Sequence, residues 1–184
     1  MAANLLSDLT APSFDDPLGM LSACHGRIDR QLATLERLQR HLPEHGCDTD
    51  ARVAARAILK YFDTAAPNHH EDEEASVFPR LIVALPDAAA RLVADLAKDH
   101  AQLATNWRRL RPMLAAIAAG QRANLSPAQV AAVRAAYDAH IDKEETELIP
   151  LAAEVFDAAT LKAIGEEMAA RRGVDPRAPA RRAL

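Results

Sequence analysis

His69-His70-Glu71-Asp72-Glu73-Glu74-Ala75-Ser76-Val77-Phe78-Pro79 recurs later in the chain as His140-Ile141-Asp142-Lys143-Glu144-Glu145-Thr146-Glu147-Leu148-Ile149-Pro150. Both copies place a Glu four residues after a His, a second Glu beside it, then an apolar pair and a proline at the same offset. Residues four apart project from one face of a helix, so each copy offers an imidazole next to a carboxylate. Such a pair is half of a metal site. In a chain of this composition one His-x-x-x-Glu arises by chance about 0.4 times, so the weight rests on two copies sharing one frame.

Apolar residues at steps of three and four extend both copies into long helices and add two more. The first helix is predicted over 17–42, with Asp15 or Asp16 as its cap, Pro17 in its first turn and a seam through Leu18, Leu21, His25, Ile28, Leu32, Leu35 and Leu42. Pro43 and Gly46 end it, and Asp48 or Thr49 caps a second helix over 50–84. Pro67 and Pro79 interrupt that helix and predict kinks on either side of the His-Glu pair. A third helix over 88–119 has its seam on Leu92, Leu96, His100, Leu103, Trp107, Leu110, Leu114 and Ile117, with Gly120 as its stop. Ser126, Pro127 and Gln129 read as a capping box opening the fourth, over 127–156, with Val130, Val133, Tyr137, His140, Glu144, Leu148, Leu151 and Val155 on one stripe. A shorter fifth helix over 158–171 ends at Gly173.

Four long amphipathic helices with short connections predict an all-α fold, an up-down-up-down antiparallel four-helix bundle with a short extra C-terminal helix outside it. Residues 1–14 read as a flexible lead, 15–172 as the bundle and 173–184 as an Arg-rich flexible tail. The chain of 184 residues is long enough for one domain with a substantial core. A net charge of −4 gives no basic footprint for nucleic acid. Two cysteines make no disulfide framework, no secretion signal opens the chain and no stretch reaches a membrane span. The expected setting is the cytoplasm, with no nucleic-acid or membrane partner.

Each half of the chain supplies one lone His in a seam and one His-x-x-x-Glu in the shared frame. An antiparallel bundle can bring His25, His69, Glu73, His100, His140 and Glu144 to one level of the core. Burying one unpaired polar group costs roughly 2 to 7 kcal/mol and an isolated carboxylate far more, so six such groups need compensation. A metal supplies it, and imidazole with carboxylate suits iron, manganese, zinc or cobalt. Two carboxylates that each place one oxygen on each of two ions make a dinuclear site the economical arrangement. It leaves coordination positions open for a small ligand.

At these residues the chain resembles a hemerythrin-like domain of the HHE cation-binding family. The family pattern is matched by His25, by His69 to Pro79, by Asp99-His100 and by His140 with Glu144, over about residues 17–156. The resemblance implies a four-helix bundle holding two iron ions, bridged by oxo or hydroxo and here by Glu73 and Glu144, able to bind dioxygen, nitric oxide or peroxide. One departure stands out. Oxygen-carrying hemerythrins have His-x-x-x-His on the third helix, whereas the residue four after His100 is Ala104. His70 is a substitute for the missing ligand only if it can reach, and it sits about 100° round the helix from His69; it is left out of the ligand set.

Glu74, Glu145 and Glu147 read as solvated surface, with Glu74 or Glu145, and Asp99, as the candidates to accept from a ligand imidazole. His41 and His45 read as exposed loop residues, and Asp29 as turned to the bundle edge. Trp107, Phe62 and Tyr137 are expected to fill the core around the site, with the Tyr137 hydroxyl a candidate neighbour of a bound ligand. Cys24 reads as a buried inert thiol, and Arg171, Arg172, Arg177, Arg181 and Arg182 as a solubilising tail. Three functions remain open at this level: a di-iron protein that binds or senses a small ligand, in concert with a redox or signalling partner; a di-iron enzyme such as a peroxidase, nitric oxide reductase or iron-centre repair factor; and a regulatory bundle holding zinc or no metal.

Overall fold

A computed structural model describes residues 13–175. The expected lead and Arg-rich tail, with Arg177, Arg181 and Arg182, fall largely outside the described residues. Helix α1 runs Pro17–His45, α2 Thr49–Lys60, α3 Ala66–Asp72, α4 Phe78–Ala84, α5 Pro86–Ala118, α6 Pro127–Lys143, α7 Ile149–Val155 and α8 Ala158–Arg171. No strand occurs among the described residues, and no helix there is long and apolar enough to cross a membrane. α2 packs on α1 and α5, α5 on α6, and α6 on α1, so the long elements form a helical bundle.

Widened turns precede the two prolines at which kinks were expected, Pro67 and Pro79, and a third precedes Pro150. Three π-helical turns, Tyr61–Ala65, Glu73–Val77 and Glu144–Leu148, join α2 to α3, α3 to α4 and α6 to α7. After each, the second residue of the next α segment is a proline: Pro67, Pro79 and Pro150. Proline has no amide to donate and its ring presses on the turn before it, and a widened turn absorbs both demands without breaking the rod. The backbone amides of Ala66, Phe78 and Ile149 accordingly reach back five residues to the carbonyls of Tyr61, Glu73 and Glu144. Two of the three widened turns begin at the Glu of a His-x-x-x-Glu pair.

Asp16, Asp48 and Asp157 cap α1, α2 and α8, accepting from the amides of Gly19, Ala51 and Thr160 at 3.0, 2.8 and 2.8 Å. Ser126 occupies the N-cap of α6 but makes no side-chain cap bond, so the capping box expected with Gln129 does not form. α1 also runs past Pro43 to His45 instead of stopping at 42. A proline in the last turn removes one bond there, and Gly46, at φ 66°, then ends the helix with its amide on the Leu42 carbonyl.

The apolar core comes in two clusters. One gathers Ile28, Leu32, Ile58, Phe62, Leu103, Leu110, Val133 and Tyr137; the other gathers Leu18, Leu21, Val77, Leu81, Leu96, Leu148, Ala152 and Met168. On every long helix the histidine of interest falls in sequence between members of the two, so a polar layer separates them.

α8 closes over the second cluster, touching α1, α3 and the second π turn. Gly165 lies so close to the Phe14 carbonyl that a Cβ would stand 1.9 Å from that oxygen. Arg171 and Arg172 correct the reading of a free tail: their guanidinium groups hold the fully buried Asp72 carboxylate at 2.7 and 2.6 Å. Arg80 and Glu167 add a second tie at 2.7 Å.

Candidate metal centre

His25, on α1, His69 on α3, Glu73 opening the second π turn, His100 on α5, His140 on α6 and Glu144 opening the third π turn meet in one layer. All six are buried, none more than 4% exposed. Their ligand-type atoms fall into two overlapping sets: His25, His69, Glu73 and Glu144 in one, and Glu73, His100, His140 and Glu144 in the other, each within 4.8 Å of its fellows. The carboxylates belong to both. Glu73 Oε1 lies 3.5 Å from His69 Nε2 while its Oε2 lies 3.3 Å from His100 Nε2. Glu144 Oε2 lies 3.1 Å from His25 Nε2 while its Oε1 lies 3.0 Å from His140 Nε2. Each carboxylate thus gives one oxygen to each side.

The polar atoms facing this layer make no hydrogen bond. Nε2 of His25, His69, His100 and His140 and all four carboxylate oxygens of Glu73 and Glu144 are buried without such a partner. A protein does not leave that many polar atoms unsatisfied in its core without compensation. Imidazole nitrogen and carboxylate oxygen are the donor set of first-row transition metals, so the residues fit one or two such cations.

Outer contacts orient the rings. His25 Nδ1 meets Glu145 Oε1 at 2.5 Å and His100 Nδ1 meets Glu74 Oε1 at 2.6 Å. With Nδ1–H donating to a carboxylate, the Nε2 lone pair is aimed into the layer, which is the tautomer that metal ligation requires. The second Glu of each motif therefore orients a histidine on a neighbouring helix. Asp99 stands 3.8 Å from His140 Nδ1 and receives Lys143 Nζ at 2.6 Å.

Without metal, protons carry the compensation. Burial and then the facing Glu144 push Glu73 up to about 8. Burial works on Glu144 in the same direction, but His100, His140 and His25 outweigh it and hold that carboxyl well below the usual range. For His100, contacts with Glu144, Glu73 and Glu74 overcome burial and raise the pKa to about 10. Burial alone dominates His69 and depresses it strongly.

His70 also lies against this layer. Its ring stacks on His100, with centroids 4.1 Å apart and planes 14° from parallel, and its Nε2 is buried without a hydrogen-bond partner. It forms a third set, with His100 and His140. Burial, then His100 and His140, lowers its pKa to about 3, leaving a neutral ring.

Other candidates fall outside the layer. His41 and His45 lie in the last turns of α1 and not in a loop, with His41 half-buried, paired with Asp48 at 3.0 Å and tilted against the His45 ring, and Asp29 pairs with Arg134 at 2.7 Å. Phe62 and Tyr137 pack in the first apolar cluster, 5.6 Å apart. Trp107 is only half-buried, because its Nε1–H donates to the exposed Asp63, which Arg111 also grips. Cys24 is a buried free thiol whose Sγ accepts from Arg27 at 2.9 Å. Sequence reasoning missed Asp72. Its only signal was an acid between the two motif positions that face the core.

The sequence pattern of the hemerythrin HHE cation-binding domain matches residues 16–152, which span α1 into α7 and include all six side chains of the layer. The chain belongs to the hemerythrin HHE cation-binding family. It is also 33% identical over 162 residues to a protein of Haemophilus influenzae that carries only the name uncharacterized protein, covering 88% of this chain and 93% of that one. Within this HHE domain the buried His/Glu layer is a cluster that could hold a cation.

Proposed function

We propose that this HHE domain holds two iron ions side by side, bridged by Glu73 and Glu144, and binds or senses a small ligand such as dioxygen, nitric oxide or peroxide. The observation that carries the reading is the split of each carboxylate, one oxygen toward each imidazole set. A bound di-iron pair supplies reversible redox chemistry and open coordination positions. The chain's own residues supply the rest: Glu74 and Glu145 fix the rings of His100 and His25, and the two apolar clusters keep bulk water from the layer.

An up-down-up-down four-helix topology is part of this reading. α1 and α5 meet the Leu21 cluster before their histidine and the Leu32 cluster after it, whereas the two motif-bearing helices meet them in the opposite order, which supports antiparallel neighbours. Two free cysteines are in keeping with a reducing cytoplasm, and a signal would pass to a redox or signalling protein.

Metal analysis of protein purified without added metal, with visible spectra in air and after reduction, tests the proposal. About two irons per chain with bands that bleach on reduction are expected. Zinc or no metal in protein grown with ample iron overturns it. Turnover of peroxide or nitric oxide with a reductant would move the assignment from binding protein to enzyme.

A further inference from the structure

We propose that His70 is a metal ligand, so that the pair of ions is held by five imidazoles and not four, with the fifth delivered by the helix that already supplies His69. This inference rests on the dinuclear reading above and deepens it. In the bundle the motif-bearing α3 packs on α1, while α4, its continuation, packs on α5. Directions from one helix to two adjacent neighbours in a square bundle differ by roughly 90°, close to the 100° between consecutive residues. Adjacent histidines can therefore face different neighbours. His69 lies 4.9 Å from the His25 ring on α1, and His70 lies 4.1 Å from the His100 ring on α5.

Three observations point to ligation and not to packing. His70 Nε2 is buried with no hydrogen-bond partner, in a side chain that could have turned that atom to solvent. Ligand-type nitrogens of His70, His100 and His140 stand within 4.8 Å of one another, the spread of donors around one ion. The residue four after His100 leaves room: the groove beside His70 and His100, about 730 Å³, has the small Ala97, Ala101 and Ala104 on its α5 wall, with Glu74 and Phe78 on the other. The His25 side then has two imidazoles and the two bridging carboxylates, and the opposite side has three imidazoles and the same carboxylates.

Iron per chain after a chelator challenge, with the visible spectrum, tests this in wild type, His70→Ala, His41→Ala and the double variant His70→Ala with Ala104→His. Wild type and His41→Ala are expected to keep two irons. His70→Ala is expected to fall toward one, and a histidine at position 104, on the same groove, to restore the second. Two irons with an unchanged spectrum in His70→Ala overturn the inference and leave the dinuclear reading standing. So does iron loss in His70→Ala that position 104 does not restore, when the metal-free variant also melts below metal-free wild type, since that marks a packing role. A wild-type protein without iron overturns the dinuclear reading itself, and this inference with it.

Discussion

The two copies of the motif agree at the His and Glu positions of the buried layer and differ at the positions between them. His69 and His140 are both buried in the layer, and Glu73 and Glu144 both open a π turn with a proline two residues beyond it. Glu74 and Glu145 both reach across to orient a histidine on another helix. The intervening residues part company. The first copy has His70 against α5 and a buried Asp72 held by α8, where the second has Ile141 and a half-buried Lys143 paired with Asp99. The repeat fixes what a cation needs; the unlike positions fit each copy to unlike neighbours.

The sharpest break in the likeness of the ligands would come from Glu144→Ala or Glu73→Ala. Each removes a carboxylate shared by both sets, so loss of both ions is expected, measured as metal per chain; Glu147→Ala, on exposed surface, should keep full content. Metal-free protein should also melt below the loaded form, since a ligand at a thousandfold excess over Kd adds about 4 kcal/mol.

Next in size is the contrast of Asp72 with Lys143. Asp72→Ala leaves Arg171 and Arg172 facing a buried void, and breaking such a pair costs about 3 to 5 kcal/mol. Lys143→Ala, at the matching position, loses a partly solvated pair worth about 0 to 1 kcal/mol. Urea unfolding of both metal-free variants checks the difference, and equal midpoints would show that α8 is not tied through Asp72.

Glu74→Gln and Glu145→Gln test whether the crossed outer contacts are equivalent. Both should weaken metal affinity about 10- to 100-fold, as loss of an outer carboxylate partner typically does. A large effect in only one would show that the two sides are tuned separately.

A change of pH acts on both imidazole sets at once. At pH 7 the metal-free protein keeps a proton on Glu73, pushed up to about 8, and on His100, at about 10. A cation must displace both, so affinity should rise with pH from 7 through about 10, with proton release seen in weakly buffered titrations. The metal-free fold responds oppositely through these groups. Both pKa values are raised above their unfolded values, so the stability they contribute is present at low pH and lost as pH climbs through 8 and 10.

The sequence by itself determined the helices, the six side chains of the layer and the family, because a period of 3.6 and a His four before a Glu are local properties that any helix obeys. It also flagged Glu74, Glu145 and Asp99 as outer partners but could not select among them; the fold gives Glu74 and Glu145 each a ring on another helix to accept from and leaves Asp99 3.8 Å from the His140 ring, paired with Lys143. Tertiary structure decided what depends on the angle between neighbours. His70 was set aside for lying 100° from His69, yet that offset aims it at α5. Arg171 and Arg172 resembled a tail until α8 folded back onto Asp72. Pro67 and Pro79 announced kinks, but that the turns before them widen, opening at Tyr61 and Glu73, and that a third opens at Glu144 before Pro150, emerges only in the folded chain.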